Sequence, residues 1–210
     1  MQILVLATAS QKEELIPGIS NGQARITWLQ TVDELTGHPG ADAVIDLLFE
    51  HSPERISALS QFSQMVFINS VVYTLQQTSD LFIRINGWDT LLSGPIIEAA
   101  VLDESRKKKA EEILSGFGKN VQWLPDQPGF MTPRVISMII NEAFLALEEG
   151  VSTEEEINTA MRLGTNYPFG PFEWASKIGV QKIYSLLHVL SAQNKRYYPS
   201  SLLKQAEESC

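Results

Sequence analysis

Residues 128–179 read PGFMTPRVISMIINEAFLALEEGVSTEEEINTAMRLGTNYPFGPFEWASKIG, and this stretch decides the fold of the second half of the chain. Pro128-Gly129 is typical of a turn or linker, and apolar residues then cover most of the circumference of a helix over residues 131–147. Gly150 is typical of a helix C-cap. Ser152-Thr153, followed by three glutamates, is typical of the start of the next helix. The stretch therefore predicts an all-helical domain.

Two features of this stretch bear on assembly and shape. A helix over residues 131–147 that is apolar on nearly all sides needs cover, and a chain of 210 residues has a limited core to provide it. We therefore expect a partner subunit against this helix. Residues 167–172, YPFGPF, cannot be helical throughout, because each proline biases its predecessor away from the α region. They predict a proline-locked corner between two helices, with substrate contact as a secondary role.

The same stretch resembles the opening of the helical C-terminal domain of the 3-hydroxyacyl-CoA dehydrogenases, which include the 3-hydroxybutyryl-CoA dehydrogenases. The matching landmarks are Pro128-Gly129-Phe130, Arg134, Asn141-Glu142-Ala143, Glu149-Gly150-Val151, Ile157, Ala160-Met161, Leu163-Gly164, Tyr167-Pro168, Gly170-Pro171-Phe172-Glu173 and Ile178-Gly179. The resemblance implies NAD as cofactor, an acyl-CoA ligand, and a homodimer formed through the C-terminal helices. It also implies the family reaction, the NAD-dependent oxidation of 3-hydroxyacyl-CoA to 3-oxoacyl-CoA in fatty-acid metabolism.

The first half of the chain alternates apolar strands with short helical segments, as parallel α/β sheets do. The predicted strands cover residues 2–6, 25–29, 43–48, 64–69, 81–86, 96–101 and 120–124. The predicted helices cover residues 11–16, 31–35, 53–62 and 104–117. We therefore predict a reduced Rossmann-like, NAD-binding-type domain with a parallel sheet over residues 1–125. A linker, Pro125-Asp126-Gln127-Pro128, joins it to a helical dimerisation and substrate domain over residues 128–210.

The positions expected to hold the cofactor differ from the pattern that the chemistry requires. A dinucleotide site uses G-x-G-x-x-G after the first strand, because glycines allow close approach to the pyrophosphate. The corresponding positions here are Ala7, Ala9 and Lys12, which add methyl groups and a long side chain. The second strand ends in Gln30, where an acidic residue would bind the ribose with charge-assisted strength. The residues therefore disfavour tight NAD binding, although the resemblance implies it.

The segment RINGWDTLLSGPIIEAAV, residues 84–101, matches the catalytic segment of the family. The resemblance assigns Glu98 as the glutamate that orients a histidine base twelve residues earlier. That position is Asn86, and Asp89 stands where the family has an asparagine. An amide cannot exchange a proton near neutral pH as imidazole does. The sequence therefore indicates that the general base is missing.

Three further positions correspond to the family's substrate-contacting residues. The family's serine after the fourth strand is best matched by Val72, with Ser70 nearby. Pro133 replaces the asparagine of the family's P-G-F-x-x-N-R motif. The substrate contacts are therefore expected to be altered together with the base.

Other residues could supply the missing base. His51 follows the third strand, at the sheet edge where doubly wound folds bind ligands, so His51 or Asp89 could substitute. His38 lies in a turn, and His188 lies in an apolar helix, where we expect it to be packed or at an interface. The sequence has no Cys/His cluster, so no metal site is expected.

Composition sets the remaining expectations. The net charge of −9 disfavours nucleic acid and anionic membranes as partners, because both need clustered cations. No apolar run approaches the roughly 20 residues of a membrane span. The single cysteine, Cys210, fits a reducing cytoplasm. Two classes of function stay open: an NAD-dependent 3-hydroxyacyl-CoA dehydrogenase with an unusual, weakened site, or a pseudoenzyme that binds acyl-CoA or acts as a dimeric interaction protein.

Overall fold

The structure is a computed structural model that describes residues 1–19, 24–62 and 64–209, so the predicted role of Cys210 lies outside the described residues. The chain divides into two compact units, Met1–Phe130 and Met131–Cys210. Each unit has its own architecture.

The first unit is built on a seven-stranded sheet with the strand order β2-β1-β3-β4-β5-β6-β7. The strands are β1 (Gln2–Leu6), β2 (Arg25–Leu29), β3 (Ala43–Asp46), β4 (Met65–Asn69), β5 (Phe82–Ile85), β6 (Ile96–Ala100) and β7 (Asn120–Trp123). All seven predicted strands are confirmed, with ends that differ by at most two residues. The prediction of a parallel sheet needs one correction, because β5 and β6 pair antiparallel.

Short helices cover both faces of this sheet. Helices α1 (Ala9–Leu15) and α3 (Lys107–Ser115) pack on one face, and α2 (Pro53–Ser60) packs on the other. The helix predicted over residues 31–35 is a 3-10 helix, Val32–Gly37, closed by reciprocal hydrogen bonds between Thr31 and Glu34. The helix predicted over residues 104–117 is likewise divided, with a 3-10 turn at Glu104–Arg106 before α3.

The order of the strands reverses between β1 and β3. The chain passes from β1 to β2 on one side and then returns to β3 on the other side of β1. The carboxyl ends of these two strands meet at one edge of the sheet, where Leu47 donates its N–H to the carbonyl of Leu6 at 2.9 Å. Doubly wound sheets bind ligands in the crevice at this kind of reversal. We call it the switch crevice.

The second unit is helical over its described residues. It contains α4 (Thr132–Glu148), α5 (Glu154–Thr165), α6 (Pro171–Ile178), α7 (Val180–Ser191), α8 (Ser201–Glu208) and a 3-10 turn at Lys195–Tyr197. Helix α4 packs against α6, α7 and α8, and its buried residues include Ile136, Ile140, Ala143 and Phe144. The expectation that this helix is buried on nearly all sides is wrong within one chain, since Val135 is exposed.

The helix ends and the corner follow the sequence signals. Gly150 adopts a left-handed φ of +68° after α4, as a C-cap glycine does. Thr153 caps α5 and exchanges hydrogen bonds with Glu156. Asn166 ends α5 in the left-handed region, and α6 starts at Pro171, so the predicted corner at residues 167–172 is confirmed. No helix among the described residues is long and apolar enough to cross a membrane.

Candidate functional site

Asn86 and Glu98 form a buried polar pair at the antiparallel junction of the sheet. Asn86 follows β5 and Glu98 lies in β6, so their backbones are joined by a hydrogen bond from Asn86 N–H to the Glu98 carbonyl at 2.9 Å. The Asn86 Nδ2 donates to Glu98 Oε2 at 3.1 Å, and the two residues are 5% and 4% exposed. The structure therefore brings together the two positions that the sequence assigned to base and orienting carboxylate.

The side chain of Asn86 is engaged at both ends. Its Oδ1 accepts a long hydrogen bond, 3.4 Å, from the backbone N–H of Trp88, while its Nδ2 faces Glu98. A neutral amide in this position orients a carboxylate but carries no basic nitrogen. Asp89 is half-buried in the loop that follows.

The residues that replace the glycine motif form a capping box at the N-terminus of α1. Thr8 caps α1: its Oγ1 accepts the Gln11 backbone N–H at 3.1 Å, and Gln11 Oε1 accepts the Thr8 N–H at 3.0 Å. Ala7 is half-buried and Ala9 is exposed, while the Lys12 ammonium lies 5.2 Å from the centre of the Trp28 ring. The N–H groups of Thr8 and Gln11 are thus bonded within the helix start, whereas a pyrophosphate would need such N–H groups for itself.

A second set of polar groups closes the carboxyl edge above the switch crevice. Gln11 Nε2 donates to the carbonyl of Leu47 at 3.3 Å and to that of Gly87 at 3.0 Å. Asn69 Nδ2 donates to the same two carbonyls at 3.1 and 3.2 Å, and Asn69 Oδ1 accepts the Gly87 N–H at 2.9 Å. The residues at this edge therefore do not fit a dinucleotide pyrophosphate.

A dinucleotide site binds the adenosine ribose near the end of the second strand, where this chain has Gln30. A cavity of about 530 Å³ lies beside the ends of β2 and β3, and Gln30, Asp33, Glu50 and Arg55 are among its lining residues. The backbone N–H groups of Gln30 and Thr31 donate to the Glu34 carboxylate, and these bonds lower the pKa of that carboxyl. Acidic residues line the cavity, but the position where a carboxylate would bind the ribose is occupied by the neutral Gln30.

The substrate positions lie in separate units. Ser70 is buried and its hydroxyl donates to the carbonyl of Tyr73 at 2.9 Å, a hydrogen bond within its own loop. Val72 is half-buried in the same loop. Pro133 is buried in the first turn of α4 in the second unit.

Sequence reasoning missed Arg84, a fully buried guanidinium on β5. Its Nε donates to the carbonyl of Ser70 at 2.8 Å, its Nη2 donates to the carbonyls of Val71 and Gln127, and its Nη1 forms an ion pair with Asp126. Burial lowers the pKa of Arg84, and Asp126 opposes that shift. A charged residue inside an apolar strand was the available signal, because such a charge requires a partner.

His51 lies in a different cluster from Asn86 and Glu98. Its Nε2 donates to the carbonyl of Gln77 at 3.0 Å, and its ring stacks on Tyr73 with centroids 3.9 Å apart. These contacts fix the ring as part of the loop packing. His188, expected to be packed or at an interface, is exposed in the single chain and stacks on Tyr184, so it is not packed there and its place at an interface stays a prediction. Among the residues that the structure describes, no group of three His, Cys, Asp or Glu side chains is placed to hold a metal ion.

The family match concerns the second unit. Residues 129–209 match the family described as 3-hydroxyacyl-CoA dehydrogenase, C-terminal domain. The 3-hydroxyadipyl-CoA dehydrogenase of Escherichia coli is 46% identical over 112 residues, which are 52% of this chain and 24% of that protein. The 3-hydroxybutyryl-CoA dehydrogenase of Bradyrhizobium diazoefficiens is 34% identical over 54% of this chain and 40% of that protein. The matches thus span less than half the length of these relatives.

Solved structures resemble the whole chain. The (S)-3-hydroxybutyryl-CoA dehydrogenase of Ralstonia eutropha superimposes with a TM-score of 0.74 over 97% of this chain and 92% of that chain, at 20% identity. The 3-hydroxybutyryl-CoA dehydrogenase of Escherichia coli gives a TM-score of 0.62 and 35% identity over 70% of this chain and 32% of that chain. The first similarity concerns the fold alone, and the sheet followed by helices is the fold that they share.

Proposed function

The chain belongs to the 3-hydroxyacyl-CoA dehydrogenase family through its C-terminal domain, residues 129–209, and from this premise we propose that it is a pseudoenzyme of that family that binds acyl-CoA without transferring hydride. The alternative is an NAD-dependent 3-hydroxyacyl-CoA dehydrogenase that works weakly through an unusual site. The two differ in whether a base and a nicotinamide can meet the substrate.

The observation that carries the proposal is the buried pair of Asn86 and Glu98. Oxidation of a 3-hydroxyacyl group transfers a hydride from carbon C3 to NAD and removes the proton of the 3-hydroxyl, and a base with a pKa near neutral accepts that proton best. Asn86 has no such group, and its amide is hydrogen-bonded to Glu98. Supporting observations are the capped start of α1 and the amide of Gln11, which spans the carbonyls of Leu47 and Gly87.

Acyl-CoA is the ligand class that the relatives suggest. Their names specify 3-hydroxyadipyl-CoA and 3-hydroxybutyryl-CoA. Residues 129–209, which match the family's C-terminal domain, lie in the domain that we assign to substrate and dimer contacts. The net charge of −9 does not exclude CoA, since local cations can neutralise its phosphates. With a single cysteine in the sequence, we also propose that the protein works in the cytoplasm.

Calorimetric titration of the whole chain with NADH and with acetoacetyl-CoA, in separate experiments, tests this function. We expect saturable binding of acetoacetyl-CoA with a Kd in the range of about 1 μM to 1 mM, the usual range for enzyme substrates, and no saturable binding of NADH. Free coenzyme A is the matched comparison and should bind more weakly if the acyl group is recognised. Saturable binding of NADH together with turnover would instead support the dehydrogenase.

We further propose a homodimer formed through the C-terminal helices, and exposed apolar residues support it. Helix α5 has no buried residue in the single chain, and Leu163 within it is 82% exposed. Val135 on α4 and Val151 after it are also exposed. Apolar surface of this kind marks interaction sites.

Light scattering during size exclusion tests the dimer. The expected mass is twice the 23.4 kDa of one chain, and Leu163→Glu should shift the protein towards the monomer. Leu81→Glu is the matched control, because Leu81 is an exposed leucine of the first unit. A monomer mass for the wild type at micromolar concentration would rule out the dimer.

A further inference from the structure

A set of hydrogen bonds fastens residues 87–92, which we call the edge loop, to α1. Gln11 on α1 and Asn69 at the end of β4 donate to the carbonyl of Gly87. Glu14 on α1 accepts the backbone N–H groups of Thr90 and Leu92. We propose that the edge loop occupies the switch crevice in place of a dinucleotide, so that the sheet domain is closed to NAD and NADH. The proposal rests on the proposed function, because it supplies a structural reason why the chain would not transfer hydride.

Gln11 makes the central contacts of the proposed closure, because both its amide oxygen and its amide nitrogen are hydrogen-bonded. Its Oε1 accepts from the Thr8 N–H, and its two amide hydrogens serve the carbonyls of Leu47 and Gly87. Leu47 follows β3, whereas Gly87 follows β5, so one side chain links three parts of the edge. At 1% exposure, Gln11 is satisfied without a ligand, and no N–H of its amide is left to meet a phosphate.

Glu14 holds the far part of the edge loop. Its two carboxylate oxygens accept the backbone N–H groups of Thr90 and Leu92 at 2.6 and 2.9 Å. Hydrogen bonds to a carboxylate are about twice as strong as neutral ones. Thr90 adopts a φ of +73°, which a β-branched residue rarely adopts, so the two bonds keep a strained residue in place.

Lys119 fastens the same loop from the opposite direction. Its ammonium donates to the carbonyl of Leu92 and to that of Gly94, the second at 2.7 Å. Burial lowers the pKa of Lys119, and the charge of Glu14 opposes this shift. The N–H of Leu92 therefore donates to the Glu14 carboxylate, and the carbonyl of Leu92 accepts from the Lys119 ammonium.

The loop lies directly on the crevice. A Cβ added to Gly87 would stand 2.8 Å from a methyl of Leu47 and 2.9 Å from the amide carbon of Asn69. The side chains of Trp88 and Leu92 are buried beside it, and Leu92 belongs to the apolar core of that face. Admission of a pyrophosphate would therefore break the bonds of Gln11, Asn69 and Glu14 and expose two large apolar side chains.

The proposal predicts that the edge loop is protected in the free protein. Amide hydrogen exchange over residues 86–95 of the whole chain should be slow, and 2 mM NADH, a concentration of order 100-fold above a typical cofactor Kd, should raise the Tm by less than about 1 °C. A ligand that binds at 100 times its Kd would instead raise the Tm by roughly 5 °C or more in a protein of this size.

Two variants on α1 separate the closure from general stability. Glu14→Ala should accelerate exchange of residues 90–92 by about tenfold or more, whereas Glu13→Ala, which removes an exposed carboxylate one residue earlier, should leave it unchanged. If Glu14→Ala does not fold, as judged by circular dichroism, Glu14→Gln gives the same comparison against Glu13→Gln. Equal exchange in the Glu14 and Glu13 variants would overturn the proposal.

Saturable NADH binding by the wild type, with protection of residues 8–12, would also overturn the closure. Such binding without hydride transfer would leave the proposed function intact. Failure to bind acetoacetyl-CoA would have the opposite effect, since it would contradict the proposed function while the edge loop remained closed.

Discussion

The amide nitrogen of Asn86 donates a hydrogen bond of 3.1 Å to the carboxylate of Glu98, and both residues are buried. The residue spacing of twelve and the antiparallel pairing of β5 with β6 place them opposite each other. The resemblance places a proton-accepting histidine at position 86, whereas the asparagine found there neither gains nor loses a proton near neutral pH. On the function proposed above, the pair keeps the positions that the resemblance assigns to base and orienting carboxylate, with an amide in place of the base at residue 86.

Asn86→His alone should not restore hydride transfer. The variant supplies an imidazole beside Glu98, but Ala7, Ala9, Lys12 and Gln30 still differ from a dinucleotide site, and Gln11 still spans the crevice. We expect the rate of NADH oxidation with acetoacetyl-CoA to stay at the background level. A gain of the roughly 10²–10⁴-fold that a general base typically contributes would show that the cofactor site is functional.

The strands and the pairing of the candidate site could be predicted from the sequence. Alternating apolar runs mark the strands, and the resemblance of residues 84–101 to the family's catalytic segment marks the pair of Asn86 and Glu98. The direction of β6 could not be predicted, since a five-residue apolar run reads the same in parallel and antiparallel sheets. The 3-10 form of the helix at Val32–Gly37 could not be predicted either, since it starts with the same Thr-Glu capping pair as the α-helix Glu154–Thr165.

The contacts that close the crevice could be predicted only in part. Thr8 and Gln11 have the spacing of a capping box, which predicts their mutual bonds. The second use of the Gln11 amide could not be inferred, because its partners are backbone carbonyls of residues 47 and 87, distant in sequence. Similarly, Arg84 in an apolar strand signals a buried partner, but Asp126 lies 42 residues away.

Arg55→Leu should destabilise the protein more than Asp46→Asn. Asp46 is fully buried at the end of β3 and receives two hydrogen bonds of 2.7 Å from Arg55, which remains 15% exposed. Removal of Arg55 leaves a buried carboxylate without its cation, a loss of about 3–5 kcal/mol for pairs of this kind. Asp46→Asn leaves a guanidinium that can still reach water, so its cost is smaller. Urea unfolding at pH 7 measures the difference.

The pH dependence of Arg55→Leu provides an independent check. Burial raises the pKa of Asp46, and Arg55 opposes that shift, so the variant raises the pKa further. A carboxyl with a raised folded-state pKa binds its proton more tightly in the folded than in the unfolded state. The stability of the variant should therefore rise as the pH falls from 8 towards 5, relative to the wild type. A flat difference across this range would contradict the assignment.

Arg84→Met should cost about 3–5 kcal/mol of unfolding free energy. The change removes the guanidinium donors from Asp126 and from the carbonyls of Ser70, Val71 and Gln127, and it takes the cation from the ion pair with Asp126. Arg84→Lys should recover only part of the loss, because an ammonium does not reproduce the planar donor set. The control is Arg25→Met, at an exposed position on β2, where a change within about 0.5 kcal/mol is expected. Equal midpoints for the two methionine variants in urea would refute the role of Arg84.

The steady-state assay of the wild-type chain with NADH and acetoacetyl-CoA tests the loss of hydride transfer most directly. The absence of a base at position 86 and the closed switch crevice predict no turnover above the uncatalysed background. A turnover number near the ~10 s⁻¹ that is usual for enzymes would contradict this conclusion, and His51 would then be the first residue to replace.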